Sequence, residues 1–572
     1  MSKTDLKRLI AVARGDLPAD LVLANARIVN TFTGEVERGS VAVAEGRVAG
    51  VGDYSEAAEV VDLEDRYLAP GLIDGHVHIE SSMLDVEQYA RAVVPRGTLT
   101  AVTDLHEIAN VTGLRGIRYV RDRARRVPLD LFFMAPSCVP ATGMETSGAT
   151  LGPAEVRQVL GWRDVLGLGE VMNFPGVVSG SDDMLDKIAA AGTKARDGHA
   201  PGLSGRSLNA YLCPLLGSDH EVTTYEEGLE KLRRGMHLMI REGSAEKNLE
   251  DLLPLVTDGN YHRCMLVVDD RSALDIIEDG DLDAVVRKAI SLGLDPVRAV
   301  QMASLNTARY FRLDGRGGIG PGYYADLLVI PDLHEFRVER AYSRGKLVAR
   351  DGEALFDVRG RRSRWITNTF DVAPVTAESL ALRSHGRGPV PVIEIIPGQI
   401  VTGRAEATPR VVDGAVRSDP ERDLLKLAVI ERHRATGNVG VALVRGFGLR
   451  RGAIGTSIAH DSHNIVVAGV SDRDILAAVE AITASRGGLV CVADGEVLAR
   501  LELPIAGLMS PEPLETVATK LRELEAAAAG LGCPLASPFS VLSFLALPVI
   551  PALKLTDRGL VDVLAGEFVG AG

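Results

Sequence analysis

The 572-residue sequence predicts an α/β protein in which a (β/α)₈ TIM-type barrel is inserted in a small β-sandwich domain and followed by a C-terminal α+β domain. Strand-like apolar runs alternate with helical patterns through the first half of the chain, which is typical of βα units. Short β-branched runs separated by turn residues flank that region, and a third region mixes strands and helices. Periodicity alone does not separate a barrel from a doubly wound open sheet, so both remain open on this observation.

The predicted domains follow from this pattern, because a chain of this length exceeds one compact core. An amphipathic helix is predicted up to about Gly15, and a β meander begins at Asp20. A similar β pattern returns from Ala325 to Gly352, so we expect the two β segments to form one small domain around the barrel. The predicted boundaries are 1–67 and 315–364 for the two parts of the β domain, 68–314 for the barrel and 365–572 for the C-terminal domain.

Composition excludes several classes of function. The net charge of −14 argues against nucleic acid as a partner. The five cysteines are scattered without a C-x-x-C pair, which argues against a disulfide framework and favours reduced thiols in the cytoplasm. The first residues carry charges within their apolar segment and do not resemble a signal peptide. The apolar segment that begins at Val541 is short and contains two prolines, so no membrane span is expected.

Two histidines one residue apart follow a short apolar run in the stretch GLIDGHVHIESSML, from Gly71 to Leu84. Because side chains alternate faces along a strand, His76 and His78 are expected to point the same way. They lie at the carboxyl end of a predicted strand, which in a barrel is the catalytic face. Two incidental strand histidines would be the simpler interpretation if this pair stood alone.

Other potential ligands share this position at the ends of predicted strands. Imidazole and carboxylate groups together suit a borderline divalent ion that activates water. Their accumulation at successive strand ends therefore favours a metal site over coincidence. The histidines are His76, His78, His106, His199 and His220, and the acidic residues are Asp104, Glu107, Glu170, Asp219, Glu221, Asp269 and Asp270.

Some of these residues carry specific hypotheses. Glu170 follows an apolar run, where a carboxylate is costly to bury unless a metal or a cation pairs with it. It is a candidate ligand between two ions, and a salt-bridged rim residue is the alternative. Asp269 follows CMLVV and could contact a metal and take a proton from bound water, whereas the adjacent Asp270 would point to the opposite face. His106 and Glu107 could move protons and contact substrate, or could instead support the ligands from behind.

The short motifs of several other enzyme classes are incomplete, misplaced or absent in this sequence. The sequence HIE at His78 to Glu80 fits the H-x-E of cytidine-deaminase-type zinc enzymes, but the required P-C-x-x-C partner is missing. GRGGIG precedes a strand instead of following one, so it indicates a loop and not a dinucleotide site. The sequence contains neither a G-x-S-x-G elbow nor a Walker-type loop.

Longer motifs along nearly the whole chain carry a family likeness. The barrel region contains GLIDGHVHIESSM, HEIANV, APSCVPAT, GLGEVMNFPGV, DGHAPGLSG, SDHE and REGSAEKNL. The C-terminal region contains AVIERHRATGNVG, GFGLRRGAIGTSIAHDSHNIVVAG and LSFLALPVIPALKLTDRGLVDV. Together they resemble the adenine deaminase branch of the amidohydrolase superfamily. Many amidohydrolases share the His-x-His, whereas HVHIESSM together with HEIANV and AHDSHN is specific to this branch.

The resemblance implies a barrel enzyme that hydrolytically deaminates adenine to hypoxanthine and ammonia in purine salvage. It implies a divalent-metal cofactor, two ions of Mn²⁺ or Fe²⁺ with Zn²⁺ as the alternative, and a homodimer or homotetramer. The implied metal ligands are His76, His78, Glu170, His199, His220 and Asp269, and the implied catalytic residues are Asp269, His106 and Glu170. The candidate substrate-binding residues are Glu80, Ser81, Ser82, Glu107, Arg241 and Ser244.

Two positions depart from the family pattern. Asp281 stands where a histidine is expected, and Leu105 stands where a proline is usual. Two other functions are therefore weighed against adenine deamination. One is an amidohydrolase acting on another purine or a related heterocycle, and the other is a catalytically silent relative that serves in binding or assembly.

Overall fold

The chain begins with a helix and a run of β strands. The computed structural model describes residues 1–358, 364–383 and 388–571. Helix α1 (Lys3–Ala13) starts at a capping box in which Ser2 and Asp5 satisfy each other's backbone N–H groups. Its buried face, Leu9 and Val12, packs on the strands that follow. Those strands are β1 (Ala19–Asn30), β2 (Glu35–Ala44), β3 (Arg47–Gly52), β4 (Ala57–Asp62) and β5 (Tyr67–Pro70).

Eight parallel strands then form the barrel, and each pairs with the next along the chain. The last strand returns to the first, because the backbone N–H of Asp269 donates to His76 O at 3.0 Å and the N–H of His78 donates to Asp269 O at 3.3 Å. This closure confirms the predicted barrel and excludes the doubly wound sheet. The strands are β6 (Leu72–Val77), β7 (Thr98–Asp104), β8 (Asp130–Ala135), β9 (Val165–Val171), β10 (Ala195–Gly198), β11 (Ser218–Asp219), β12 (His237–Arg241) and β13 (Cys264–Val267).

The barrel helices lie between these strands and after the last one. Strands β6, β7 and β13 are buried along their whole length, as expected for parallel strands covered by helices. The helices are α2 (Val86–Val93), α3 (His106–Thr112), α4 (Leu114–Ala124), α5 (Pro153–Leu160), α6 (Phe174–Ser179), α7 (Asp182–Ala190), α8 (Gly205–Leu212), α9 (Tyr225–Arg233), α10 (Leu249–Leu252), α11 (Ala273–Glu278), α12 (Leu282–Ser291), α13 (Pro296–Met302) and α14 (Leu305–Tyr310).

After the barrel the chain returns to the first sheet. Strand β14 pairs antiparallel with β5, with Leu327 opposite Pro70, so both β segments belong to one nine-stranded sheet. The exact residues at which the domains begin and end remain predictions. The predicted boundary at residue 364 adjoins residues 359–363, which lie outside the described residues. The returning strands are β14 (Leu327–Ile330), β15 (Arg340–Ser343), β16 (Lys346–Arg350) and β17 (Glu353–Ala354).

The C-terminal region contains an eight-stranded mixed sheet in the order β19-β18-β23-β22-β25-β24-β26-β27, together with helices, as the predicted α+β class requires. Its strands are β18 (Val390–Ile395), β19 (Thr402–Ala407), β20 (Arg410–Val412), β21 (Ala415–Arg417), β22 (Leu425–Ile430), β23 (Val439–Arg445), β24 (Ala453–Thr456), β25 (Ile465–Gly469), β26 (Gly488–Ala493), β27 (Glu496–Glu502), β28 (Leu553–Thr556), β29 (Gly559–Asp562) and β30 (Glu567–Val569). Its helices are α15 (Asp472–Ser485), α16 (Leu514–Gly530) and α17 (Pro538–Phe544).

The C-terminal region packs on the carboxyl end of the barrel. The backbone N–H of Asp85 donates to Ser510 O at 2.8 Å, and the side chain of Asn464 donates to Thr146 O at 2.9 Å. Buried apolar side chains from both regions belong to one continuous core. Among the described residues, no helix is both long and apolar enough to cross a membrane.

Candidate metal centre

Six predicted ligands meet at the carboxyl end of the barrel. His76 is the second-to-last residue of strand β6, and His78 directly follows that strand. Glu170 lies one residue before the end of β9, and His199 and His220 come directly after β10 and β11. Each side chain is thus placed at the carboxyl end of a barrel strand. The sixth residue, Asp269, follows β13 where the barrel closes.

Glu170 lies between two pairs of histidines. Its Oε1 atom is 3.1 Å from His78 Nε2 and 3.8 Å from His76 Nε2. Its Oε2 atom is 2.8 Å from His199 Nδ1 and 3.3 Å from His220 Nε2. Each carboxylate oxygen therefore faces a separate pair of imidazole nitrogens, which is the arrangement expected of a ligand shared by two ions.

Asp269, and not Asp270, faces the histidines. Asp269 Oδ1 is 3.3 Å from His76 Nε2 and 3.4 Å from His78 Nε2. Asp270 instead accepts a hydrogen bond from Ser81. Asp269 has a φ of +62°, a left-handed conformation that a non-glycine residue adopts only when its surroundings hold it there. The backbone bonds that close the barrel supply that constraint.

The unpaired atoms at this site fit a divalent cation. Among the residues that the structure describes, the buried His76 Nε2 and Glu170 Oε1 form no hydrogen bond, although other polar atoms lie within 4 Å of both. Buried polar groups without partners are costly, so a group that satisfies them is expected. Within the described residues, three triads of possible ligand atoms involve Glu170 or Asp269, and the atoms of each triad lie within 4.8 Å of one another: His76, Glu170 and His220; His76, His78 and Asp269; His78, His106 and Glu170. Imidazole and carboxylate donors suit Mn²⁺, Fe²⁺ and Zn²⁺.

The charges at the site balance one another. Burial alone would raise the pKa of Glu170, but His220 and the hydrogen-bonding histidines hold that pKa well below its ordinary value. Burial opposes protonation of His220, yet the adjacent Glu170 raises the pKa of His220 to about 9. Each group thus favours the charged form of the other, and a bound cation would take over the role of the imidazolium protons.

His78 and Asp269 are oriented by neighbours outside the cluster. His78 Nδ1 lies 3.0 Å from Asp104 O, which leaves Nε2 to face Glu170. The buried Arg241 donates to Asp269 Oδ2 at 2.7 Å and holds Glu221 through two bonds of 2.6 and 2.9 Å. The donors of Arg241 are therefore engaged by protein acceptors, and its placement in substrate binding stays a prediction.

The other predicted substrate residues lie at different distances from the cluster. Glu107 lines the cavity beside the ligands, and both Ser81 and Ser244 line an adjoining one. Glu80 accepts the backbone N–H of Ile108 at 3.2 Å, and burial raises the pKa of Glu80 to about 7. Ser82 lines neither cavity, and its Oγ donates to Ile79 O at 2.6 Å. Ser244 donates to Asp275.

His106 connects the cluster to a second group of charged residues. His106 Nδ1 is 3.5 Å from Glu170 Oε1, and its Nε2 is 3.5 Å from Glu107 Oε1. Glu107 in turn contacts two histidines of the C-terminal region, His460 at 2.5 Å and His463. His106 thus lies between the proposed ligands and a charged network, as a residue that moves protons would.

Sequence reasoning did not assign roles to three cavity residues: Glu246, His460 and Asp461. Glu246 follows the β12 strand, and both its carboxylate oxygens are buried without a hydrogen bond from any described residue. Burial raises the pKa of Glu246 to about 8. The motif AHDSHN was a signal for the other two, because it concentrates polar residues between two apolar strands.

The two departures from the family pattern lie outside the ligand cluster. Asp281 precedes α12 and accepts a hydrogen bond from Thr98 Oγ1 at 2.9 Å. Thr98 begins β7, so Asp281 is at the opposite end of the barrel from the ligands. Leu105 is fully buried between Asp104 and His106.

Comparison with known proteins matches both halves of the chain to families. The amidohydrolase family matches residues 67–348, and the adenine deaminase C-terminal domain matches residues 399–567. An adenine deaminase of Dehalococcoides mccartyi (strain BAV1) is 54% identical over 567 residues, covering 99% of each chain. One from Desulfatibacillum aliphaticivorans is 50% identical over 564 residues, covering 98% of this chain and 99% of its own. A crystal structure of an adenine deaminase has 16% identity and a TM-score of 0.44, covering 57% of this chain and 99% of its own.

Proposed function

The chain belongs to the adenine deaminase family, and from that premise we propose that it converts adenine and water into hypoxanthine and ammonia. The observation that carries the proposal is the position of Glu170 between two histidine pairs, with Asp269 on the same side of the barrel. This arrangement suits a hydrolytic enzyme, because attack of water on an amidine-like carbon requires strong activation of the water. All six ligand-type residues are present, which disfavours the catalytically silent alternative.

We propose two divalent ions, Mn²⁺ or Fe²⁺ with Zn²⁺ as the alternative. When bound, such ions supply Lewis acidity and lower the pKa of water to near neutrality. Glu170 would be a ligand shared by both ions. The remaining proposed ligands are His76, His78, His199, His220 and Asp269.

Asp269 and His106 are proposed to move the protons of the reaction. Loss of ammonia from C6 requires a proton donor, which can be a group that first accepted the proton of water. Asp269 is suited to this role because Arg241 fixes one of its oxygens at 2.7 Å and leaves the other facing the histidines. His106 is suited to pass the proton on, since its second nitrogen faces Glu107 at 3.5 Å.

The remaining assignments belong to the same proposal. We place Glu80, Ser81 and Glu107 among the residues that determine which ring is bound. We also propose a homo-oligomer, a dimer or tetramer, that works in the cytoplasm without nucleic-acid or membrane partners. The five cysteines are all free, which agrees with a reducing compartment.

The test is to identify the products. Purified protein supplied with Mn²⁺, Fe²⁺ or Zn²⁺ is incubated with adenine, and hypoxanthine and ammonia are quantified by chromatography and an ammonia assay. We expect equal amounts of the two products, and no turnover by the Glu170→Gln variant. If another purine is turned over and adenine is not, that purine replaces adenine as the proposed substrate. Failure to turn over any purine while metal is fully bound would contradict the proposal.

A further inference from the structure

The C-terminal region forms one wall of the catalytic cavity. Barrel residues such as Glu170 and Asp269 line one side, and His460, Asp461 and Phe544 line the other. The chemistry proposed above is carried by barrel residues alone and gives the opposite wall no role. A wall with a carboxylate facing a substrate cavity is nevertheless equipped to recognise a ligand.

The loop between β24 and β25 is fixed in place against the barrel. Its His460 Nδ1 lies 2.5 Å from one oxygen of Glu107, and His463 Nε2 contacts the other. Asn464 donates to the backbone oxygen of Thr146 at 2.9 Å. These contacts on both sides of Asp461 hold the loop against the barrel, and Asp461 lines the cavity.

Asp461 retains an acceptor that no protein group uses. The residue is 2% exposed, and in the described part of the chain its Oδ2 atom has no hydrogen-bond partner. Its Oδ1 atom is 3.8 Å from His106 Nε2, beyond hydrogen-bond distance. Burial raises the pKa of Asp461 to about 6, so at neutral pH the carboxylate is ionised and can only accept hydrogen bonds.

We propose that Asp461 accepts a hydrogen bond from the N–H of the five-membered ring of the purine, and so restricts the site to free bases. The inference rests on the proposed adenine deamination. The reacting carbon, C6, belongs to the six-membered ring and must approach the ligands of the barrel. The five-membered ring then extends toward the opposite wall of the cavity, where Asp461 lies.

The specificity follows from the chemistry of that ring. A free purine base has one N–H there, whereas a nucleoside or a 9-methylated base has none. An ionised acceptor that is buried without a donor loses its hydration and gains nothing in return. Sites built to bond a substrate N–H or O–H reject analogues that lack it by large factors, up to about 10⁴- to 10⁵-fold.

The test compares adenine with 9-methyladenine in the metal-loaded wild type and in D461N. We expect the wild type to prefer adenine by at least about 100-fold in kcat/KM. In D461N we expect kcat/KM for adenine to fall about 10- to 100-fold, mainly through KM, because a charged acceptor is lost. The preference for adenine over 9-methyladenine should fall with it, while metal content stays at the wild-type value.

Ser462→Ala is the matched control, since it alters the same loop at a residue outside the cavity lining; it should keep the wild-type preference. An unchanged preference in D461N would overturn the inference. A fall in kcat at unchanged preference would also overturn it, because Asp461 would then act through His106. If D461N does not fold, the comparison of the two bases in the wild type is the test. Equal kcat/KM for adenine and 9-methyladenine would then refute the proposed role of Asp461. Calorimetry separates this inference from the proposed function. If the wild type binds adenine more tightly than 9-methyladenine but does not deaminate it, the proposed function is refuted and the recognition of the ring N–H by Asp461 is not.

Discussion

Replacing Arg241 with methionine tests whether the position of Asp269 depends on the guanidinium behind it. Arg241 is 3% exposed and makes two bonds to Glu221 and one, of 2.7 Å, to Asp269. R241M keeps most of the apolar volume but leaves two buried carboxylates without their cation. Removing one partner of a buried ion pair costs about 3–5 kcal/mol of unfolding free energy. Removing a group that orients a metal ligand costs about 10- to 100-fold in metal affinity or activity.

The assay measures three quantities on the same preparations: unfolding in urea, metal bound per chain, and adenine turnover. We expect R241M to lose stability and to show weaker metal binding or slower turnover by the factor given above. Adding Glu221→Gln to R241M removes one of the two orphaned charges. The double variant should therefore regain part of the stability while its turnover stays low.

Arg316→Met is the matched control. Arg316 is also buried, and it donates to Asp326 at 2.9 Å and to Thr100 at 3.2 Å. Thr100 is near the start of β7, so this network lies at the end of the barrel opposite the ligands. We expect R316M to lower stability without changing metal affinity. R241M with wild-type metal affinity and turnover would refute the reasoning, because Asp269 would then be held without Arg241.

Three further predictions concern single residues. Glu170→Gln should bind fewer ions per chain and lose at least about 100-fold in turnover, measured by metal analysis with the product assay; full metal content at wild-type turnover would contradict a bridging role. His106→Gln should retain its metal but lose about 10²- to 10⁴-fold in kcat, and an unchanged kcat would remove it from the proton path. The third prediction concerns stability. Burial lowers the pKa of His237 to about 4 in the folded protein. Between pH 6.5 and pH 4 the unfolded chain therefore binds a proton at His237 that the folded protein does not, and stability falls as the pH drops through this range. His237→Phe should abolish up to about 2 kcal/mol of that fall between pH 7 and pH 4.5 in urea titrations, and equal pH dependence in both proteins would contradict it.

The barrel and four of its ligand positions could be read from local pattern, because His76, His78, Glu170 and Asp269 lie at the ends of strands that are apolar enough to recognise. Glu170 comes near the end of VLGLGEV and Asp269 follows CMLVV, and the structure places both at the carboxyl end of the barrel. One strand was not predicted. Strand β10 is only Ala195–Gly198 and contains Arg196 and Asp197, so neither apolar alternation nor length marks it as a strand.

The second wall of the cavity could not be predicted in the same way. His460 approaches Glu107 across 353 residues of chain, and no local pattern encodes that contact. The polar density of AHDSHN fits both a site and an interface, and the sequence does not choose between them. The structure shows a contact between the barrel and the C-terminal region that also lines the cavity, because the β24–β25 loop packs over the end of the barrel.

Metal titration of the metal-free protein tests the central claim most directly. Chelator-treated protein is titrated with Mn²⁺ or Fe²⁺, and bound metal and hypoxanthine production from adenine are measured at each step. We predict that turnover rises with bound metal and reaches its maximum at two ions per chain, with Glu170→Gln failing to recover it. Hypoxanthine production at full rate by the metal-free protein, or two bound ions with no hypoxanthine formed, would contradict the account.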